Sequence, residues 1–196
     1  MYLYKQNIIN VVTLISMILK VYDDSYKTLR LISKDVDIPL IAKDEKLALS
    51  LLNHIKASQN PETREKHKIR EGVGLAAPQI GKNKRIIAIH YPISDNYVTH
   101  VLANPKIIKE SVRRAFLSNG EGCLSVPRPI EGHVYRHYKI TVKAYDVLKK
   151  EYVTIDATGY EAIVLQHEID HLNGILFYDR INPLLTFNAY PDAVEI

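Results

Sequence analysis

The spacing of apolar positions divides the chain into a helical start, a strand-rich middle and one strongly apolar helix near the end. Ile8, Val11, Val12, Ile15, Ile18 and Leu19 recur at helical intervals, with Gln6, Asn10, Thr13 and Lys20 on the other side. This predicts an amphipathic helix over residues 6 to 19. A second helix is expected from Asp44, read as its cap, through Leu47, Leu51, Leu52 and Ile55 to Asn60-Pro61, where proline ends it. The mixed charges from Glu62 to Arg70 read as a solvated loop. After Gly81 the period changes to two. Arg85 to Tyr91 and His100 to Ile108 read as strands, the second edge-like because Pro105 has no N–H to give. Ile140, Val142 and Ala144 alternate with Thr141, Lys143 and Tyr145, and Val153 and Ile155 alternate again after a turn near Lys149-Lys150. A hairpin and a sheet with one buried face follow.

The last periodic segment is apolar on nearly every side, through Ala162, Ile163, Val164, Leu165, Ile169 and Leu172. Such a helix belongs inside a core. Thr158 and Glu161 read as a capping box at its start, and Asn173-Gly174 as its stop. The expected class is α+β: mixed and antiparallel β-sheets around a central buried helix, with additional N-terminal helices. Residues 1–20 are expected to form an amphipathic extension lying on a single domain of residues 21–196, a membrane-surface anchor being the alternative for the extension.

Composition narrows the class without naming a function. The chain has 196 residues, 46% apolar and 24% charged, which is ordinary for a globular protein. Its net charge is 26 minus 22, or +4, a mild basic excess that fits an ordinary solvated surface or approach to an anionic one. The N-terminal apolar stretch is shorter than the ~20 residues a bilayer needs and lacks the plan of a secretory signal, so no membrane span is expected. Cys123 is the single cysteine, which excludes an intramolecular disulfide and points to a reducing compartment, the cytoplasm.

Candidate chemistry is concentrated in Gln166-His167-Glu168-Ile169-Asp170-His171. On a helix His167 and His171 share a face and can close on one metal ion, and Glu168 is placed to act on a metal-bound water. The same pattern also occurs on helices with no metal, and a third ligand is needed to decide. The downstream position at which a histidine would complete a zinc-protease pattern is Phe177. Upstream, Gly72-Val73-Gly74-Leu75-Ala76-Ala77-Pro78-Gln79 is not a nucleotide fingerprint, because Ala77 stands at the third glycine. It reads either as a cleft wall offering the Gln79 amide or as a turn packed on a strand. Cys123, between Gly122 and Leu124-Ser125-Val126-Pro127, is either a small buried hydrophobe or the missing ligand. One thiolate and two imidazoles would leave a four-coordinate divalent ion one open position for water.

Taken in order, Gly72 to Gln79, Glu121-Gly122-Cys123-Leu124-Ser125 and Gln166 to His171 resemble the three signature motifs of peptide deformylases. The charged insertion before the first motif, the pattern around Lys139 to Tyr145 and the end Asp192-Ala193-Val194-Glu195-Ile196 make the chain similar to the longer, Gram-positive-like type 2 branch. The similarity runs from about Val21 to Ile196. The resemblance implies a hydrolase that removes the formyl group from the formyl-methionine of newly synthesised polypeptides and releases formate. It implies one divalent metal ion held by Cys123, His167 and His171, with Fe2+ in cells and Zn2+, Ni2+ or Co2+ also compatible. Glu168 becomes general base and later proton donor, and the Gln79 amide and Leu124 N–H hold the developing oxyanion.

Helical geometry puts Tyr160 and Ile163 near the metal-facing side, where with Val73 and Leu124 they either line a methionine pocket or serve only as core. The Gly74 backbone would pair with the peptide as an added strand. Asp170, with Arg136 as partner, is expected to orient the ligands. The departure at Pro127-Arg128-Pro129 leaves no arginine role there to carry over. Nascent chains are the implied partner, with the ribosome near its exit tunnel. A monomer is expected, and no nucleic-acid recognition motif is present. Two rivals remain, a His-Glu-x-x-His zinc peptidase and a non-catalytic metal- or peptide-binding homologue.

Overall fold

The structure, a computed structural model, describes residues 18–187 and 190–196. The helix expected over residues 6 to 19 lies almost wholly outside the described residues; Ile18, Leu19 and Lys20, which are described, take no regular structure. Two helices precede the main sheet: α1 (Ala42–Gln59) and α2 (Pro61–His67). The strands are β1 (Gly74–Ala76), β2 (Ile86–Ile93), β3 (Asn96–Glu110), β4 (Arg114–Phe116), β5 (Arg136–His137), β6 (Lys139–Asp146), β7 (Glu151–Thr158) and β8 (Val194–Glu195). Helix α3 (Gly159–Leu172) follows β7.

The five-stranded sheet runs β1-β2-β3-β6-β7 with every neighbour antiparallel. A small sheet runs β5-β4-β8, in which β4 and β8 are parallel. Helices and sheets are thus combined as the α+β class requires, with the apolar α3 at the centre.

The large sheet is covered on both faces in its middle, where the alternation in β6 and β7 predicts one buried face. Along β2, Ile87, Ile89 and Tyr91 join the core with Val164, Leu165, Ile169 and Leu172 of α3. The alternate residues Ile86 and Ala88 join Leu51, Leu52 and Ile55 of α1. Two-sided burial explains why β2 reads as an unbroken apolar run. Burying one isoleucine or leucine of this kind contributes about 1.5–3 kcal/mol, so the two covering helices are held mainly by this sheet.

Four other sequence expectations change. Helix α1 is capped by Ile41 without a side-chain bond, and Asp44 lies in its first turn, paired with Lys84. Glu62 to His67 of the charged run belong to α2, and only Lys68 to Arg70 stay irregular: the Asn60 side chain accepts from Thr63 N at 2.9 Å and Pro61 takes the first helical position. Pro105 does not mark an edge. β3 is interior, and it accommodates the proline by a register shift between Ala103 and Lys106 with Asn104 left-handed at φ 51°. Thr158 and Glu161 form no capping box; Glu161 instead meets His100 at 2.8 Å. The stop at Asn173-Gly174 is as expected, since Ile175 N bonds Asp170 O and Gly174 N bonds His171 O with Gly174 at φ 73°.

Candidate metal centre and catalytic cleft

Three segments that are remote in sequence meet at α3. His167 and His171, one turn apart, present their rings 5.0 Å between centroids and nearly perpendicular at 77°. Facing them is a tight turn, Cys123 to Val126, closed by Val126 N on Cys123 O at 3.1 Å. Its first residue puts Sγ 3.3 Å from His171 Nε2. One ligand atom from each of Cys123, His167 and His171 falls within 4.8 Å of the others. A tetrahedral set built from typical zinc–sulfur and zinc–nitrogen bonds spaces sulfur and nitrogen by roughly 3.6 Å, so the three donors fit a single cation.

A layer of charge behind the three donors orients one of them, His167. Glu121 Oε2 accepts from His167 Nδ1 at 2.8 Å, which leaves Nε2 as the ring's inward atom. Arg136, buried with 2% exposure, donates to both Glu121 oxygens at 2.5 and 2.9 Å and to Asp170 Oδ2 at 2.8 Å. Arg180 closes on Asp170 from the other side. Asp170 therefore acts through arginines and not by touching a histidine. Burial alone would raise the Glu121 carboxyl, but the Arg136 charge and the His167 hydrogen bond hold it down at about 2. The two imidazoles are pushed apart. Burial disfavours charge on both, but Cys123 and Glu121 draw a proton onto His167, while His171, buried and facing that proton, is held well below the ordinary range.

Glu168, next to His167, is buried with 4% exposure, and its Oε2 finds no partner among the described residues. Burial pushes its carboxyl up to about 7, against the opposing charges of His167 and Arg136. A carboxyl near neutrality can both accept and return a proton. The buried His171 Nδ1 is likewise unpartnered.

The cleft in front of these groups has a volume of about 310 Å³ and is lined by Val73, Gly74, Gln79, Leu124, Tyr160 and Ile163 among others. The structure therefore brings together every pocket residue expected from sequence. One wall is set by α1: Gln59 Nε2 donates to Gly72 O at 2.9 Å and His90 O at 2.7 Å, and Ser58 Oγ accepts from Gly72 N at 3.2 Å. The glycine-rich segment is thereby a cleft wall whose residues Gly74 to Ala76 form edge strand β1. Gln79 Oε1 accepts from Ala76 N at 2.8 Å, and Nε2 reaches Ser125 Oγ at 3.2 Å and Cys123 Sγ at 3.6 Å. The amide is thus held with its donor end toward the ligands.

Two groups were missed by sequence reasoning. Glu121 lies inside a recognised motif, but no spacing rule announces a carboxylate that serves a histidine 46 residues away. Arg70 lines the cleft from a segment read as loop. Arg128, to which no role was given, pairs bidentately with Asp24 at 3.0 and 2.8 Å. Phe177, at the place a protease-type histidine would occupy, is buried and lies with its ring 6.2 Å from that of His167.

The comparisons with known proteins agree with this geometry. The family model for polypeptide deformylase matches residues 17–186. The chain is 51% identical over 162 residues to the peptide deformylase of Oceanobacillus iheyensis, covering 82% of this chain and 88% of that one. It is 45% identical over 174 residues to peptide deformylase 2 of Geobacillus stearothermophilus, covering 88% and 94%. Among solved structures, the Thermotoga maritima peptide deformylase superposes with a TM-score of 0.65 at 31% identity, covering 85% of this chain and 99% of that one. The Ehrlichia chaffeensis peptide deformylase does so at 0.69 and 30%, covering 85% and 89%. With a family model spanning most of the chain and the second relative of the Gram-positive-like kind, the chain belongs to the peptide deformylase family.

Proposed function

We propose that this chain hydrolyses the N-terminal formyl amide of formyl-methionyl polypeptides, as its family does, releasing formate and a free amine. The observation that carries the mechanism is the buried, unpartnered Glu168 carboxyl beside a Cys-His-His cluster at the floor of a cleft. Cys123, His167 and His171 would hold one divalent ion. Bound there, such an ion supplies Lewis acidity and makes water acidic enough to serve as nucleophile near neutral pH. Glu168 takes the proton of that water and passes it to the amine nitrogen as the C–N bond breaks. The Leu124 N–H and one hydrogen of the Gln79 amide, which makes only a long contact with Cys123 Sγ, donate to the formyl oxygen as charge grows on it.

Val73, Leu124, Tyr160 and Ile163 take the methionine side chain, and the Gly74 backbone pairs with the peptide without reading its sequence. The ion in cells is iron(II) on this reading, as the family resemblance implies, although a thiolate with two imidazoles accepts zinc, cobalt and nickel as well. The enzyme works as a cytoplasmic monomer on chains leaving the ribosome. Among the described residues no helix is long and apolar enough to cross a membrane.

Formate release from a formyl-Met peptide, without internal cleavage, is the expected result with anaerobically purified, metal-analysed protein. Glu168→Gln should keep the metal and lose turnover by roughly 10²–10⁴-fold. Internal peptide cleavage, or unchanged turnover in that variant, would sink the proposal.

A further inference from the structure

The turn carrying Cys123 is gripped by a residue outside all three motifs. Arg70 follows α2 and reaches across to the turn, where Nη1 donates to Val126 O at 3.1 Å and Nη2 to Leu124 O. The turn itself is closed by the Val126 N to Cys123 O bond, which uses the amide of its last residue and leaves that of its second. The Leu124 N–H donates to no group among the described residues. On the same side the Leu124 side chain packs against Gly72, where an added Cβ would come within 2.7 Å of Leu124 Cδ1. The Arg70 fork thus holds the outward carbonyls of the turn, and Gly72 seats its side chain. The Leu124 amide is left without a protein partner among the described residues.

We propose that Arg70 is a positioning residue: by clamping the Leu124 and Val126 carbonyls it fixes the peptide plane that presents the Leu124 N–H to the developing oxyanion. This inference rests on the oxyanion role given above to Leu124. A planar guanidinium suits the task because it can serve two carbonyls at once from a fixed fork, which an ammonium cannot do. Arg70 is exposed and contributes nothing to the three donor atoms, so its loss should leave the fold and the ion in place. Rate depends on a donor already aimed before charge develops. Letting the turn rock would therefore lower kcat more than it weakens binding.

The test compares wild type with Arg70→Ala and Arg70→Lys in steady-state formate release, metal content, thermal melting and affinity for the unformylated Met peptide, which has no oxyanion to hold. Formate release by wild type checks the underlying function separately. The expected result for Arg70→Ala is a kcat lower by roughly tenfold or more, with KM within about twofold, one metal per chain, and unchanged melting and product-peptide affinity. Arg70→Lys should recover only part of the loss. Unchanged kcat overturns the proposal. So does a rise in KM at constant kcat, which would make Arg70 a substrate contact, or a loss of metal that accounts for the lost rate.

Discussion

A side chain on Gly74 would run directly into the Glu168 carboxyl group, Oε1 first. The glycine is demanded by the Glu168 carboxyl lying against the strand, and not by a left-handed backbone, since Gly74 is absent from the positive-φ glycines. Gly74→Ala should therefore leave melting within a few degrees of wild type while displacing Glu168. Formate release should drop on the order of 100-fold, the usual result of a misplacement near 1 Å. Steady-state kinetics beside calorimetry checks this; a stable variant of full activity would show that the carboxyl can move aside freely.

Glu121 orients His167 and is itself held by Arg136. Glu121→Gln keeps the shape but weakens the grip on the imidazole N–H. Metal affinity should fall about 10- to 100-fold, which competition with a chromogenic chelator would reveal. Equal affinity in the two proteins would relegate Glu121 to packing.

Arg136 stands between two buried carboxylates, Glu121 and Asp170. Replacing it by methionine fills much of the volume but leaves two negative groups facing each other. The expected loss is about 3–5 kcal/mol in urea unfolding. The three ligand residues remain those of the wild type, so stability should suffer more than the identity of the bound ion. Unfolding that matches wild type would count against the ion-pair account.

Stability should also depend on pH through His54. The ring is buried at 2% exposure and accepts from Leu19 N at 3.1 Å, and burial lowers its pKa below 6.5. The unfolded chain binds a proton near pH 6.5 that the folded ring refuses. Stability is thus full above that value and is lost as pH falls from 6.5 toward the folded pKa. His90, lowered by burial and by Lys56, acts in the same sense. Thermal melting from pH 8 to pH 5 should decline less steeply in His54→Gln than in wild type. Parallel curves would exclude His54 as a source.

The parts of the molecule legible in the sequence are those whose signal is local. His167, Glu168 and His171 share one helix, the β6–β7 hairpin repeats with period two, and Gly174 ends α3 as a left-handed residue must. What was misread depends on the other side of a contact. Asn60-Pro61 does end α1 at Gln59, but the same two residues also cap and open α2, so Glu62 to His67 are helical where their charges read as a loop. Pro105 looked like an edge until Asn104 supplied a bulge. Glu161 looked like a capping partner, yet His100, 61 residues away, claims it. Arg70 could not be found by pattern, because the carbonyls it holds are defined only once the Cys123 turn has folded.

β1 has a further consequence for solubility. An unpaired strand edge that can accept any peptide can also accept another copy of the same protein, which is how sheet edges seed aggregation. Here that edge is three residues long and only Gly74 of it lines the cleft, while the charged Arg70 and Glu71 stand just before it. On the proposed function that edge takes the free end of one extended chain. Three residues are too short a template for a long strand of a second molecule.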